Sequence, residues 1–71
     1  MERLKQLFRK AGATYAEIIG NMVCTAWATK ALADKAEAAM RRAGIADIDR
    51  AMNGDDTEYV CTGLIQRKPK Q

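Results

Sequence analysis

The 71-residue sequence has no histidine, one proline, one tryptophan, one phenylalanine, two tyrosines and two cysteines. Lack of histidine removes the commonest general base near neutral pH, and with it every Ser/His or Cys/His constellation. Cys24 and Cys61 could form one disulfide at most, and two isolated thiols fall short of the four ligands of a structural zinc site. Glycine is scattered singly at 12, 20, 44, 54 and 63, so no phosphate-cradling loop is formed. Long apolar runs are missing as well. The longest stretch without a charge is Ile18–Thr29, too short for the ~20 residues that cross a bilayer. The N-terminus is charged, with no apolar run behind it, so no signal peptide is expected and the chain reads as cytoplasmic, with free thiols.

Charge is unevenly spread. Residues 1–30 carry Arg3, Lys5, Arg9, Lys10 and Lys30 against Glu2 and Glu17. Residues 31–60 reverse the balance, with Lys35, Arg41, Arg42 and Arg50 against Asp34, Glu37, Asp47, Asp49, Asp55, Asp56 and Glu58. Arg67, Lys68 and Lys70 close the chain in a basic tail, residues 67–71, behind a single helical domain over 1–66. Basic ends flank an acidic centre, so the net charge of +3 does not describe one broad basic face.

Leu4, Leu7, Phe8 and Ala11 recur at i, i+3, i+4 and i+7, which predicts an amphipathic helix over 2–11 that Gly12 terminates. Thr14-Tyr15-Ala16-Glu17 fits a capping box. Arg41 and Arg42 suit the negative end of a helix dipole, and Gly44 suits the C′ position. With no proline between these marks, one long helix from about Thr14 to Ala43 is expected, some 44 Å in length at ~1.5 Å per residue. Along it Tyr15, Ile19, Met22, Ala26, Thr29, Ala33, Ala36, Met40 and Ala43 keep a 4-3-4-3 spacing, the heptad pattern, flanked by Ile18, Val23, Trp27 and Leu32. A charge-free girdle on such a helix demands cover on more than one face. A second copy of the chain is the simplest cover, which makes Tyr15, Ile19, Met22, Val23, Ala26, Trp27, Ala33 and Met40 the candidate self-association residues.

Beyond Gly44, Ile45–Met52 reads as a short third helix with Asp47 as N-cap and Asn53-Gly54 as stop. Asp55-Asp56 is a turn. Thr57–Ile65 favours a strand, with Gly63 marking a bulge or a close backbone approach. A single strand has no mate in this reading, so Tyr59, Val60, Cys61 and Thr62 become candidates for pairing with another chain. The expected fold is mainly α: a short N-terminal helix, one long central helix, a short third helix and a single C-terminal strand, assembled as a helix-hairpin or bundle-like dimer.

Little chemistry survives inspection. Cys24 falls inside the uncharged girdle, where a thiol stays inert, and Cys61 sits in the expected strand with no local base. Setting Gly54 as position six of a calcium loop puts Ala51 third and Val60 twelfth, where oxygen ligands are required. No cofactor, metal site or enzyme activity is expected. The reading that fits is a small regulatory or interaction protein that self-associates and binds, or inhibits, a partner macromolecule, a form common among phage and mobile-element proteins. The alternative is a basic nucleic-acid-binding protein, with Arg3, Lys5, Arg9, Lys10, Arg67, Lys68 and Lys70 as phosphate contacts. A third use of the N-terminal helix, laying Leu4, Leu7 and Phe8 on a membrane surface, competes with burying them.

Overall fold

Gly20 and Asn21 decide the architecture. They form the two-residue loop of a β-hairpin, with Gly20 at φ +60°, the first central position that primed turns reserve for glycine. The computed structural model describes residues 2–65, ordered as α1 (Glu2–Lys10), β1 (Tyr15–Ile19), β2 (Met22–Trp27), α2 (Lys30–Arg42), β3 (Ala46–Met52) and β4 (Tyr59–Leu64). The strands make one antiparallel sheet in the order β1-β2-β4-β3. Because β2 and β3 both run antiparallel to β4, they are parallel to each other, and α2 is the crossover between them.

Register assigns the faces. Ala16, Val23, Thr25, Trp27 and Cys61 alternate toward the helices and are buried, together with Phe8 of α1 and Ala33, Ala36 and Met40 of α2. Phe8 meets the Trp27 ring edge-on, with centroids 6.1 Å apart and planes at 81°. Trp27 is fully buried, and its indole N–H donates to the Thr25 hydroxyl at 2.9 Å. That hydroxyl donates in turn to the Cys61 carbonyl at 2.7 Å, so one threonine satisfies the core's polar tip and ties β2 to β4.

The long helix of the sequence reading is replaced by a hairpin and a 13-residue helix. Thr14 caps no helix: its N–H and hydroxyl both donate to the Ala26 carbonyl, at 2.9 and 3.1 Å, and close the open end of the hairpin. The true N-cap is Thr29, whose hydroxyl accepts from the Leu32 N–H at 3.2 Å. Gly44, at φ +79°, does stand behind the helix end. Its N–H reaches the Arg41 carbonyl and that of Ile45 reaches the Met40 carbonyl, the paired bonds of a Schellman stop. The expected third helix over 45–52 is strand β3, which pairs with β4 through a bulge between Ala46 and Asp49. The fold is therefore α+β and not mainly helical. Arg67, Lys68, Lys70 and the boundary at 66 lie outside the described residues.

Gly63 has the close approach its position suggested. A Cβ there would run into the Ile45 side chain, with the Ala46 carbonyl oxygen 3.4 Å away. Gly63→Ala is expected to cost about 1–3 kcal/mol through overpacking. Thr25→Val, which leaves the buried Trp27 N–H without an acceptor, is expected to cost about 1–3 kcal/mol. Both are read from denaturant midpoints, with the loss for Thr25→Val accompanied by altered Trp27 fluorescence.

Candidate functional site: the uncovered face of the sheet

Both helices pack on one side of the sheet, as the buried residues of α1, α2 and the inward strand positions show. The opposite positions of the strands carry Tyr15, Glu17 and Ile19 on β1, Met22, Cys24 and Ala26 on β2, and Val60, Thr62 and Leu64 on β4. Ala46, Asp49 and Ala51 of β3 complete that face. No described element covers it. Four large apolar side chains are left open there: Ile19 is 63% exposed, Tyr15 49%, Met22 44% and Leu64 38%. Isolated exposed apolar residues are ordinary, but four on one face of a four-stranded sheet make a patch of the kind that marks an interaction surface.

The margins of this face differ in sign. At the β1 margin Glu17 is met by two cations, Arg9 at 3.1 Å and Lys5 at 3.6 Å. Arg9 also donates to the Ala16 carbonyl at 3.3 Å, occupying an acceptor on the free edge of β1. At the β3 margin a shallow depression of ≈ 210 Å³ is lined by Met22, Thr62, Leu64 and the carboxylates of Asp47 and Asp49. Asp47 sits at φ +52° beside the bulge, which bends this edge away from regular pairing. Both sheet edges are thus blunted by devices that discourage strand addition.

The residues expected to self-associate separate into two groups. Val23, Trp27, Ala33 and Met40 are fully buried in the chain's own core, which removes them from any seam between chains, whereas Ala26, small and little exposed, lies on the uncovered face between Tyr15 and Val60. The heptad spacing that linked them arose from two sheet faces and a separate helix. Tyr15, Ile19 and Met22 are on the uncovered face. Tyr59, Val60, Cys61 and Thr62 need no foreign strand, since β4 is flanked by β2 and β3 of the same chain. Of the expected phosphate contacts, Lys5 and Arg9 are engaged by Glu17, whereas Arg3 and Lys10 are exposed on α1.

Cysteine chemistry is constrained by the same alternation. Cys24 and Cys61 belong to neighbouring strands, but Cys24 points to the uncovered face and Cys61 to the core. Side chains on opposite faces cannot be bridged within one chain. Burial pushes the Cys61 thiol up, away from the thiolate. Among the described residues no three carboxylate or thiol groups gather into a metal-holding cluster. Asn53 instead organises the acidic turn: its side-chain oxygen accepts from the Thr57 N–H at 3.1 Å and its amide donates to Glu58 at 3.2 Å. Among the described residues no helix is long and apolar enough to cross a membrane. No family model matches the chain, and no curated protein or solved structure matches it.

On the helical side, Arg50 of β3 reaches up to α2, meeting Glu37 at 2.8 Å and Asp34 at 2.9 Å. Arg41 joins Glu37 at 2.6 Å and Lys30 joins Asp34 at 3.4 Å. The Arg50 hydrogen bond holds the Asp34 carboxyl below its ordinary 3.8. Arg41, and then Arg50, hold Glu37 below its ordinary 4.5. Groups lowered on folding contribute stability above those ordinary values and lose it as the pH falls through their folded ones. The denaturant midpoint is expected to fall as the pH drops below 4.5, and Arg50→Met is expected to make that acid limb shallower. Denaturation curves of the two proteins at a series of acid pH values check this, with high salt reducing the difference between them.

Proposed function

We infer that the chain is a non-catalytic interaction module that associates with a second copy of itself through the uncovered face of its sheet. The observation that carries this reading is the patch of Tyr15, Ile19, Met22 and Leu64 left open by helices that pack only on the other side. A chain of 71 residues has a small core and gains disproportionately from covering such a patch.

The charge at the margins suits a particular arrangement. A two-fold axis parallel to the strands stacks the two sheets face to face and brings each copy's β1 margin over the other's β3 margin. Lys5 and Arg9 of one protomer then approach Asp47 and Asp49 of its partner, and the same pair forms twice. Four strands at ~4.8 Å spacing and five to six residues at ~3.3 Å give a face of roughly 19 by 18 Å. That is roughly 340 Å² per partner, below the ~800 Å² per partner of a standard stable interface, so the association is weak, reversible and concentration-dependent.

A nucleic-acid role draws no support from this face. Sheets that bind single strands stack bases on two or three aromatic rings. This one offers Tyr15 alone, and the charged side chains along it, Glu17, Asp47 and Asp49, are acidic.

Light scattering over rising concentration is expected to move from one chain of 7.8 kDa toward twice that mass. Ile19→Asp with Met22→Asp is expected to hold the protein at one chain while leaving its circular dichroism unchanged, since both side chains are exposed. A mass that stays at one chain up to ~1 mM overturns the reading. Asp49→Lys, which sets like charges against Lys5 and Arg9, is expected to weaken the dimer, and more so at low salt.

A further inference from the structure

The helical side of the molecule holds a second surface that the dimer leaves free. Between α1 and α2 runs a groove of ≈ 230 Å³, with Phe8 and Trp27 in its lining and Leu7, Leu32, Ala36 and Ala39 along its walls. Leu7 is 56% exposed beside it. Its lining also includes two cations, Lys35 and Arg42 of α2. On α1, Arg3 and Lys10 fall at i−4 and i+3 from Leu7, on the same helix face. None of these four cations has a carboxylate within ion-pair distance among the described residues, unlike Lys30, Arg41 and Arg50. The described acids of α2, Asp34 and Glu37, face Arg50 on the other flank of the helix. An apolar slot is thus bordered on both sides by unpaired positive charge.

We propose that this groove receives an acidic amphipathic helix from a partner protein. One or two large apolar side chains of that helix enter the slot between α1 and α2, and its carboxylates meet Lys35 and Arg42 on one side and Arg3 and Lys10 on the other. The volume lies below the ~300–1,000 Å³ of pockets that enclose small molecules, so it suits side chains and not a whole cofactor. The shape also separates a peptide from a bilayer. A membrane surface takes protruding apolar residues, and here the apolar surface is recessed, with Leu7 alone standing proud. The groove and the sheet face are on opposite sides of the molecule, so the two associations do not compete.

Two display libraries of helical peptides test the proposal, each with a varied apolar stripe at i, i+3, i+4 and i+7, one flanked by glutamate and the other by lysine. Binders are expected from the glutamate library alone, carrying a large apolar residue in the stripe. Trp27 is the chain's single tryptophan and lines the groove, so its emission is expected to shift on binding. Lys35→Glu with Arg42→Glu, and separately Leu7→Glu, are expected to weaken binding at least about tenfold. All three positions are exposed, so the fold persists by circular dichroism. Ile19→Asp with Met22→Asp is expected to leave peptide affinity unchanged, which separates this surface from the dimer face. Binders from the lysine library, an absence of binders from the glutamate library, or affinity indifferent to the groove variants overturns the proposal. Co-sedimentation with phosphatidylserine vesicles that the glutamate peptides fail to displace overturns it in favour of a lipid surface.

Discussion

The structure depends on where Trp27 goes. Its ring is the largest fully buried side chain, placed where the end of β2 meets α1 and α2. A tryptophan buries a large apolar area but carries an N–H that must find an acceptor. Thr25, two residues earlier on the same strand face, supplies it, and the same hydroxyl binds the backbone of β4. Phe8 docks against the ring edge and so anchors a nine-residue helix that would be marginal in water by itself. Ala33 and Ala36 present no bulk toward the sheet, which lets α2 lie close above this cluster. Helix placement, strand pairing and the polar interior are consequences of one side chain and its partner.

Much of the chain's punctuation was legible in the sequence, and its central element was not. The apolar spacing of Leu4, Leu7 and Phe8 marks α1, Gly44 stands one residue past the Ala43 C-cap of α2, and the β-branched run near Tyr59 marks β4. The hairpin over 15–27 was hidden by two coincidences. Thr14 and Glu17 have the spacing of a capping box, yet Thr14 closes a hairpin and Glu17 binds Arg9 and Lys5 across its edge. More fundamentally, both faces of the hairpin are apolar. Ala16, Val23, Thr25 and Trp27 fill the core while Tyr15, Ile19 and Met22 lie open, so strict alternation of apolar and polar residues is lost. What remains is a charge-free run whose apolar positions can be threaded on a heptad. The readable signal was Gly20-Asn21, a two-residue turn pair between Ile18-Ile19 and Met22-Val23.

The uncovered face and the obscured hairpin are one fact seen twice. A sheet with one wet face writes a clean polar–apolar alternation, and a sheet meant to be covered on both faces does not. The residues that defeat the periodicity of β1 and β2 are the same ones that form the candidate interface. Strand β3 was misread for a different reason. Its inward positions carry Ile48 and Arg50, and Arg50 is satisfied only by Asp34 and Glu37 on a helix thirteen or more residues earlier. A cation at an inward strand position is intelligible once that helix is overhead, and local sequence does not supply it.

The strand order β1-β2-β4-β3 carries a kinetic consequence. Strands β2 and β3 never touch along a ladder, and β4, the last of the four in the chain, is the wedge that joins them. The hairpin of β1 and β2 can close locally, but β3 has no strand to pair with until residues 59–64 arrive between it and the hairpin. Folding therefore awaits a contact spanning more than thirty residues, Thr25 to Cys61, which raises the entropy to be lost before the transition state is reached. On a ribosome the same order leaves the apolar faces of the hairpin exposed until synthesis has passed β4. A chain so arranged assembles in one late step, with its centre built last.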